Sequence, residues 1–285
     1  MNAARSGAGD PARTLALLWR GREAPDGGPP RRGPRQGLTV DGVVSAAVGL
    51  ADAEGLQAVT MRHLAQTLGV SPMTLYTYVP GKAELLDLML DLVYQRMAHT
   101  PLEGRSTRAR LEAVAEDNRA LLAAHGWVAT VSTSRPPLGP GLLAKYEHEL
   151  QALEGTALDD VERDASLTLL LDFVRTAALS AAEARAARRE SDLDDAQWWE
   201  ASAPLLARAL DPATYPTAAR VGTAAGAAQG GAYNPERAYQ FGLQRVLDGL
   251  DVWIKRRSNQ SNWSNRPGAG GAGAGPGAGQ AEAPE

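Results

Sequence analysis

The sequence contains no cysteine among its 285 residues. Disulfide bonds, thiolate catalysis and cysteine-based zinc sites are therefore excluded, and the composition is compatible with a reducing compartment. No run approaches the roughly eighteen apolar residues that a membrane-spanning helix needs. The N-terminus also lacks the charged, apolar and small-residue segments of a signal peptide. These absences predict a cytoplasmic protein that does not contact a membrane.

The sequence also lacks the motifs of common catalytic sites. It has no glycine-rich phosphate loop, no nucleophile elbow and no paired-histidine metal motif. Acidic pairs such as Asp159-Asp160 and Asp194-Asp195 are adjacent in sequence, so their side chains diverge around a helix and are typical of N-terminal caps or solvated faces. We therefore expect no enzymatic activity, no cofactor and no metal site.

The net charge of −4 is small, but the charge is unevenly distributed. Residues 1–37 carry seven arginines against three acidic residues. Prolines and glycines interrupt the end of this segment, so we predict a flexible basic arm from which Arg35 reaches DNA. A solvated leader without that role is the alternative. A short docking helix inside the segment is predicted by four apolar residues, Leu15, Leu17, Leu18 and Trp19.

Residues 56–82 contain the most informative pattern in the chain. A helical period is shown by the apolar residues Met61, Leu64, Ala65 and Leu68. Gly69 then supplies the left-handed conformation that ends a helix, and Ser71-Pro72 can cap and begin a second helix at once. Two short helices joined by a glycine-containing turn predict a helix-turn-helix, whose second helix enters the DNA major groove.

The second helix and its surroundings carry groups that bind phosphate. Tyr76, Tyr78 and Lys82 offer phenol and ammonium donors, and the helix N-terminus adds backbone N–H groups. Two alternatives stay open at this point. Glycine turns of this kind join helices in many all-α proteins, and the two tyrosines can also form a buried aromatic pair.

The same stretch resembles the DNA-binding domain of the tetracycline-repressor (TetR) family. A Thr-Leu-Tyr helix with a lysine six residues beyond the tyrosine is specific for that family. The residues that carry the resemblance are Gly55-Leu56, Thr60, Arg62, Leu64-Ala65-Gln66, Leu68-Gly69-Val70, Thr74-Leu75-Tyr76, Val79, Lys82 and Leu85-Leu86-Asp87.

The resemblance implies DNA contacts for several residues of this stretch. Thr60, Tyr76 and Lys82 hold the DNA backbone, and Arg62 faces outward beside Thr60. The residues that begin the second helix face the base edges. This set, which the resemblance places over the major groove, consists of Ser71, Pro72, Met73, Thr74, Thr77 and Tyr78.

The rest of the chain predicts helices and no convincing strand, so the expected fold class is all-α. One helix should begin near Thr39 and end near Glu54. A longer helix should run from Lys82 past Met97 and connect the DNA-binding part to a larger helical body. Apolar residues at helical spacing predict further helices in the body up to about Arg257.

We divide the chain into four parts. The first is a flexible basic arm, residues 1–37, and the second is the DNA-binding domain, residues 38–98. A helical effector-binding and dimerisation domain follows at residues 99–257, and a disordered tail at 258–285. Within the third part, residues 218–231 are rich in alanine and glycine and predict a mobile loop.

The last predicted helix, residues 238–254, carries glycines on an apolar face. Each glycine costs a helix about 1 kcal/mol relative to alanine, unless close helix packing offsets it. We interpret this face as a two-fold interface between identical subunits. It consists of Phe241, Gly242, Val246, Gly249, Leu250 and Trp253.

This second half resembles, more weakly, the body of the tetracycline repressor from which the family takes its name. Pro101-Leu102-Glu103-Gly104, Arg135-Pro136 and Phe241-Gly242-Leu243 carry that resemblance. It implies a homodimer with a drug-sized cavity in each subunit. Arg175 either pairs within the fold or binds an anion. The side chains that we consider for the cavity are Arg96, Trp127, Phe173 and Arg175.

One departure from the tetracycline repressor concerns its effector. That repressor holds a magnesium–tetracycline chelate through two histidines, and Arg96 and Ser132 occupy the matching positions here. The nearby His99 and His125 are displaced, and isolated histidines in helical proteins are usually surface or core residues. Because a magnesium-bridged drug loses its anchor without these imidazoles, we expect an effector other than tetracycline.

These patterns together predict a dimeric, ligand-responsive transcriptional repressor. Two recognition helices would bind a near-palindromic double-stranded operator, and a small organic effector would release it. Two alternatives from other classes are a helical small-molecule-binding protein with a non-functional helix-turn-helix and a helical enzyme that uses the body cavity.

Overall fold

The computed structural model describes residues 4–21, 38–191 and 193–264. The described chain is helical and contains no strand, so the predicted all-α class is confirmed. Short 3-10 turns lie at Leu56–Ala58 and Gly126–Thr130. The α-helices are α1 (Pro11–Leu18), α2 (Val40–Glu54), α3 (Met61–Thr67), α4 (Pro72–Tyr78), α5 (Lys82–Gln95), α6 (Thr107–Ala124), α7 (Pro140–Gln151), α8 (Asp160–Glu190), α9 (Asp195–Ala209), α10 (Pro216–Gln229) and α11 (Pro235–Ser264).

Helices α2, α3 and α4 form a small three-helix unit whose starts are set by side-chain caps. The hydroxyls of Thr39, Thr60 and Ser71 each accept a hydrogen bond from the backbone N–H three residues later. Gly69 between α3 and α4 has a φ of 67°, the left-handed conformation that glycine adopts without strain. The helix-turn-helix predicted from the sequence is therefore present.

Helix α5 connects this unit to the body. It begins at Lys82, packs against α1, α2 and α7, and has most of its residues buried. The body is organised around α8, which packs against α6, α7 and α11. Alone among the described helices, α8 is long and apolar enough to cross a membrane, a test that core helices of soluble proteins also pass. Leu167, Leu170 and Val174 of α8 are buried in the protein core.

Residues 4–21 are docked on the body, which corrects the prediction of a flexible arm for this part. The Ser6 hydroxyl donates to Asp87 Oδ1 at 2.6 Å, and the Gly7 N–H donates to the same carboxylate. The Asp10 N–H donates to Glu84 on the same helix. The predicted short helix is α1. Arg35 and the rest of residues 22–37 lie outside the described residues.

Two predictions of irregular structure are wrong. Residues 218–231 are largely helical in α10, because alanine, the best helix former, outweighs the scattered glycines. Gly226 is also needed there, since a Cβ at this position would lie 2.8 Å from Trp199 Cζ2. Helix α11 continues to Ser264, so the first residues of the predicted disordered tail are helical, and residues 265–285 lie outside the described residues.

Candidate DNA-binding surface and effector cavity

Helix α4 divides cleanly into a buried and an exposed side. Leu75 is fully buried, whereas Met73 is 76% exposed and Tyr76 is 46% exposed. Tyr78 is half-buried against the core, so the alternative of a buried tyrosine pair is excluded. The exposed side of α4 therefore directs the large side chains of Met73 and Tyr76 to solvent.

The serine and threonine hydroxyls at and within α4 hydrogen-bond within the helix itself. Ser71 Oγ accepts from the Thr74 N–H at 3.1 Å and lies 2.9 Å from Thr74 Oγ1. Thr77 Oγ1 donates to the Thr74 carbonyl at 2.7 Å. These bonds stabilise a helix of only two turns, which would be marginal on its own. Ser71 therefore has a structural role as a cap in addition to its predicted place near DNA.

The other predicted DNA-contacting residues are accessible. Thr60, Arg62, Pro72 and Lys82 are exposed. Among the described residues, the Tyr76 hydroxyl and the Lys82 ammonium have no hydrogen-bond or salt-bridge partner, so both can bind phosphate oxygens.

The acidic groups that follow Lys82 on α5 are buried beneath residues 4–21. Glu84 and Asp87 are both buried, and they accept hydrogen bonds from the backbone of Asp10 and Gly7. Burial raises the pKa of Asp87 above its ordinary value, although the hydrogen bonds from Ser6 and Gly7 partly oppose this shift. The docked segment thereby covers two carboxylates in the first two turns of α5.

A cavity of about 710 Å³ lies in the body, in the size range of small-molecule sites. We call it the body cavity. Helices α5, α6, α7 and α8 and the segment at 131–138 enclose it. Its wall is mostly apolar, with a few polar groups. The residues that line it include Tyr94, Asn118, Leu121, Leu122, Val131, Ser132, Leu142, Lys145, Tyr146, Leu167, Leu171 and Arg175.

A buried charge pair stands beside this cavity. Lys145 Nζ contacts both Glu149 carboxylate oxygens at 2.6 and 2.8 Å, and Asn118 Nδ2 donates to the same carboxylate. Burial, reinforced by the negative charge of Glu149, raises the pKa of Tyr94 to about 12. Tyr94 therefore remains a neutral phenol at physiological pH.

Of the four side chains considered for effector binding, only Arg175 lines the body cavity. Its guanidinium donates to the carbonyls of Ala129 and Val131 at 2.9 and 2.6 Å, so it pairs with backbone rather than with an acid. Arg96 donates instead to Ser45 of α2. The Trp127 indole N–H donates to Asp52, and Phe173 stacks on the Tyr239 ring, with ring centroids 5.8 Å apart.

The displaced histidine His125 also has a structural partner. Its Nδ1 lies 2.9 Å from Asp52, the same acid that binds Trp127. Ser132, at the matching position of a ligand histidine in the tetracycline repressor, does line the body cavity. Sequence reasoning missed Asn118, although it lies four residues from both Val114 and Leu122 in the apolar stripe of α6. A polar residue in such a register is the signal that could have indicated the cavity.

The residues predicted to form the dimer interface lie on two different faces of α11, one inside the subunit and one exposed, which corrects the prediction of a single interface face. Leu250 is buried inside the subunit, and Gly242 lies so close to α8 that a Cβ would be 2.5 Å from Phe173 Cε2. Val246 is half-buried on the same side. Phe241 is 65% exposed, and Gly249 and Trp253 are also exposed. The close helix packing that the glycine permits is therefore made within one subunit.

Two protein-family models match this chain. The model of bacterial regulatory proteins of the tetR family matches residues 43–89, and the tetracyclin repressor-like C-terminal domain matches residues 100–254. Together they cover the helix-turn-helix unit and the body with its cavity.

Several relatives support the same assignment. The HTH-type transcriptional repressor DrrR1 of Streptomyces coeruleorubidus is 42% identical over 259 residues, which is 90% of this chain and 91% of the relative. The class E tetracycline repressor protein of Escherichia coli is 25% identical over 78% of this chain and 95% of its own length. The structure of ActR from Streptomyces coelicolor with actinorhodin superposes with a TM-score of 0.63 at 26% identity, over 77% of this chain and 98% of ActR. The chain belongs to the TetR family and is a ligand-responsive transcriptional repressor rather than an enzyme.

Proposed function

We propose that this repressor binds its operator through the exposed side of α4. The observation that carries the proposal is the contrast between buried Leu75 and its exposed neighbours Met73 and Tyr76. In this arrangement Tyr76 and Lys82 bind phosphate oxygens, and Met73 and Thr74 contact base edges in the major groove. Thr60 and Arg62 lie at the start of α3 and add contacts to the DNA backbone.

The proposal separates two kinds of variants in a DNA-binding titration. Tyr76→Phe and Lys82→Ala should weaken binding to every sequence alike, and Lys82→Ala should lower the salt slope by about 1. Met73→Ala and Thr74→Ala should instead change the ranking of operator variants. Fluorescence anisotropy at several salt concentrations, on fragments selected from genomic DNA with the purified protein, measures both effects.

Two exposed residues of the body serve as matched controls. Tyr233→Phe removes the same phenol hydroxyl, and Arg220→Ala removes an exposed cation of α10, far along the chain from α4 and outside the proposed faces of α8 and α11. They should leave DNA affinity unchanged. The proposed roles are contradicted if the Tyr76 and Met73 variants lose sequence preference to the same extent.

We propose a homodimer formed by the outward faces of α8 and α11. Both helices expose apolar side chains there, with Val161 at 80% and Phe241 at 65% exposure. Leu169, Val252 and Trp253 extend this surface. Burying it against a second copy would remove apolar area from water and fix the distance between two α4 helices, as a near-palindromic operator requires.

The dimer is tested by sedimentation analysis of Phe241→Arg. A charge within the paired surface should shift the protein to monomer and abolish tight operator binding. Leu205→Arg, at an exposed leucine of α9, is the control and should remain dimeric. A dimeric Phe241→Arg variant with normal DNA affinity would exclude this surface.

We propose that the body cavity binds the effector, an organic molecule of drug size with a largely apolar body. The ActR structures contain actinorhodin and (S)-DNPA, which makes these compounds suitable first probes. Lys145, Ser132 and Tyr146 supply the polar contacts in the cavity wall. The effector would bind more tightly to a dimer whose two α4 helices are not spaced to fit the operator. The coupling free energy between effector binding and operator binding would be about 1–3 kcal/mol. Such a protein would act in the cytoplasm.

Filling the cavity tests its role. Leu171→Trp should prevent a probe from binding and from releasing DNA, whereas Val221→Trp on the exposed side of α10 should not. Calorimetric titration measures binding, and anisotropy of preformed complexes measures release. Normal release by the Leu171→Trp variant would place the effector elsewhere.

A further inference from the structure

Two histidines and an aspartate meet outside the body cavity. His99 follows α5, Asp117 lies on α6 and His148 lies on α7. One ligand atom from each residue lies within 4.8 Å of the others, and the two imidazole ring centroids are 4.4 Å apart. None of the three residues lines the body cavity.

The histidine nitrogens in this cluster are unusual because they are buried without partners. Within the described part of the chain, His99 Nδ1 and His148 Nε2 have no hydrogen-bond partner and are inaccessible to solvent. Burying a nitrogen in this state costs about 1–3 kcal/mol. In the tautomer that carries its proton on the other ring nitrogen, each of these nitrogens has a free lone pair that can bind a metal ion between the rings.

Asp117 is held in place beside the histidines. The Thr100 N–H donates to one carboxylate oxygen at 2.7 Å, and the Thr100 hydroxyl donates to the other at 2.7 Å. Carboxylate oxygens accept more than one bond, so each keeps a lone pair for a cation. Hydrogen bonds of this kind orient the carboxylate ligands of metal sites.

The surrounding charges also suit a cation. Lys145 is the nearby ammonium group on α7, and its contact with Glu149 balances its charge. Metal binding requires both imidazoles to be neutral, and with one carboxylate the ligand set then carries a net charge of −1. Because two nitrogens and one oxygen are offered, zinc and similar transition-metal ions fit better than magnesium or calcium, which prefer oxygen ligands only.

We propose that His99, Asp117 and His148 bind a divalent transition-metal ion such as zinc or cobalt. Three protein ligands leave a fourth position for water, since all three residues are only half-buried. The site differs from the magnesium–tetracycline site of the tetracycline repressor, whose histidine positions correspond to Arg96 and Ser132. A bound ion would link the segment after α5 to α6 and α7.

The experiment uses the full chain without a histidine tag. After treatment with a chelator, the protein is titrated with Co²⁺, whose visible absorption reports tetrahedral nitrogen and oxygen ligands, and then with Zn²⁺ in competition. We expect one ion per chain. His99→Ala and His148→Ala should each weaken binding about 100-fold or more, and Thr100→Val about 10-fold, as expected for a residue that positions a ligand.

The chain provides its own controls, because it contains four histidines. His63→Ala and His125→Ala should bind cobalt as the unchanged protein does. His148→Gln preserves side-chain size in case the alanine variant does not fold. X-ray absorption of the zinc-loaded protein provides a readout that needs no variant and should show two imidazoles and one carboxylate. Absence of stoichiometric binding, equal loss in the control variants or a different ligand set would overturn the proposal.

Discussion

The DNA-binding unit and the body differ in how far their polar contacts extend along the chain. In the unit, the hydroxyls of Thr39, Thr60 and Ser71 bond to backbone three residues away. In the body, contacts join residues that are distant in sequence. Examples of the second kind are Asn118 with Glu149, Arg119 with Glu236 and Arg175 with Val131. The comparison teaches that local sequence determines the shape of the DNA-binding surface, whereas long-range pairs hold the cavity.

The largest expected effect comes from breaking the buried cluster of the body in which Lys145 and Glu149, four residues apart on α7, meet Asn118 of α6. Lys145→Ala leaves Glu149, which is 1% exposed, without its cation and should lower the free energy of unfolding by about 3–5 kcal/mol. Lys82→Ala removes an exposed lysine of the DNA-binding unit and should change it by less than about 0.5 kcal/mol. Urea unfolding measures both values. Similar losses for the two variants would remove the distinction between the regions.

The next effect concerns Arg175. Arg175→Ala leaves the carbonyls of Ala129 and Val131 without their donor and should cost about 1–3 kcal/mol. Arg175→Lys retains the charge but can make only part of this hydrogen-bond geometry. Its stability should therefore lie between that of the unchanged protein and that of Arg175→Ala. Thermal unfolding of the three proteins provides the order. If Arg175→Ala leaves the unfolding temperature unchanged, the guanidinium does not stabilise the segment that contains Ala129 and Val131.

A smaller effect tests the local contacts of the DNA-binding unit. Ser71→Ala removes the cap of α4 and should cost about 1 kcal/mol. Ser71→Asp should restore the cap, because aspartate is an equally good N-cap, but should weaken DNA binding by placing a negative charge near phosphate. Unfolding and anisotropy measurements separate the two roles. Parallel changes in stability and affinity would contradict this separation.

The smallest expected effect is a change with pH at Asp87. Because burial raises its pKa, the folded protein binds a proton there more tightly than the unfolded chain does. The contribution of Asp87 to stability therefore becomes more favourable as pH falls through its raised folded-state pKa, and it is complete below the ordinary aspartate pKa of about 4.

Asp87→Asn isolates this contribution, since the other carboxyl groups are common to both proteins. Relative to this variant, the unchanged protein should gain stability when the pH is lowered from 7 to 5, as measured by urea unfolding. A relative loss of stability over the same interval would mean that hydrogen bonds from Ser6 and Gly7 outweigh burial.

The features that could be predicted from the sequence are those that depend on neighbouring residues. Caps, the Gly69 turn and the exposed side of α4 follow from spacing and local chemistry, and the structure contains all three. Residues 218–231 are largely helical and not a loop, because alanine favours the helix and Gly226 packs against Trp199. Composition alone does not reveal such a contact.

The body could be predicted only in outline. Arg96 and Trp127 were expected near the effector, but their partners Ser45 and Asp52 lie on α2, and no periodicity indicates that pairing. His99 and His148 are separated in sequence by α6, and they meet only after α5, α6 and α7 have packed. For the same reason, the sequence assigns the whole apolar face of α11 to the dimer interface, although Gly242 and Leu250 pack inside the subunit.

The N-terminal segment has a practical consequence for anyone who shortens or tags this repressor. Its backbone pairs with Ser132 in the cavity wall, and Ser6 and Asp10 cover the carboxylates of Asp87 and Glu84. A truncated chain that starts after residue 21 would leave both carboxylates on α5 without these hydrogen bonds and exposed to solvent. Because this docked segment borders the cavity wall, an affinity tag at the other end of the polypeptide keeps clear of both.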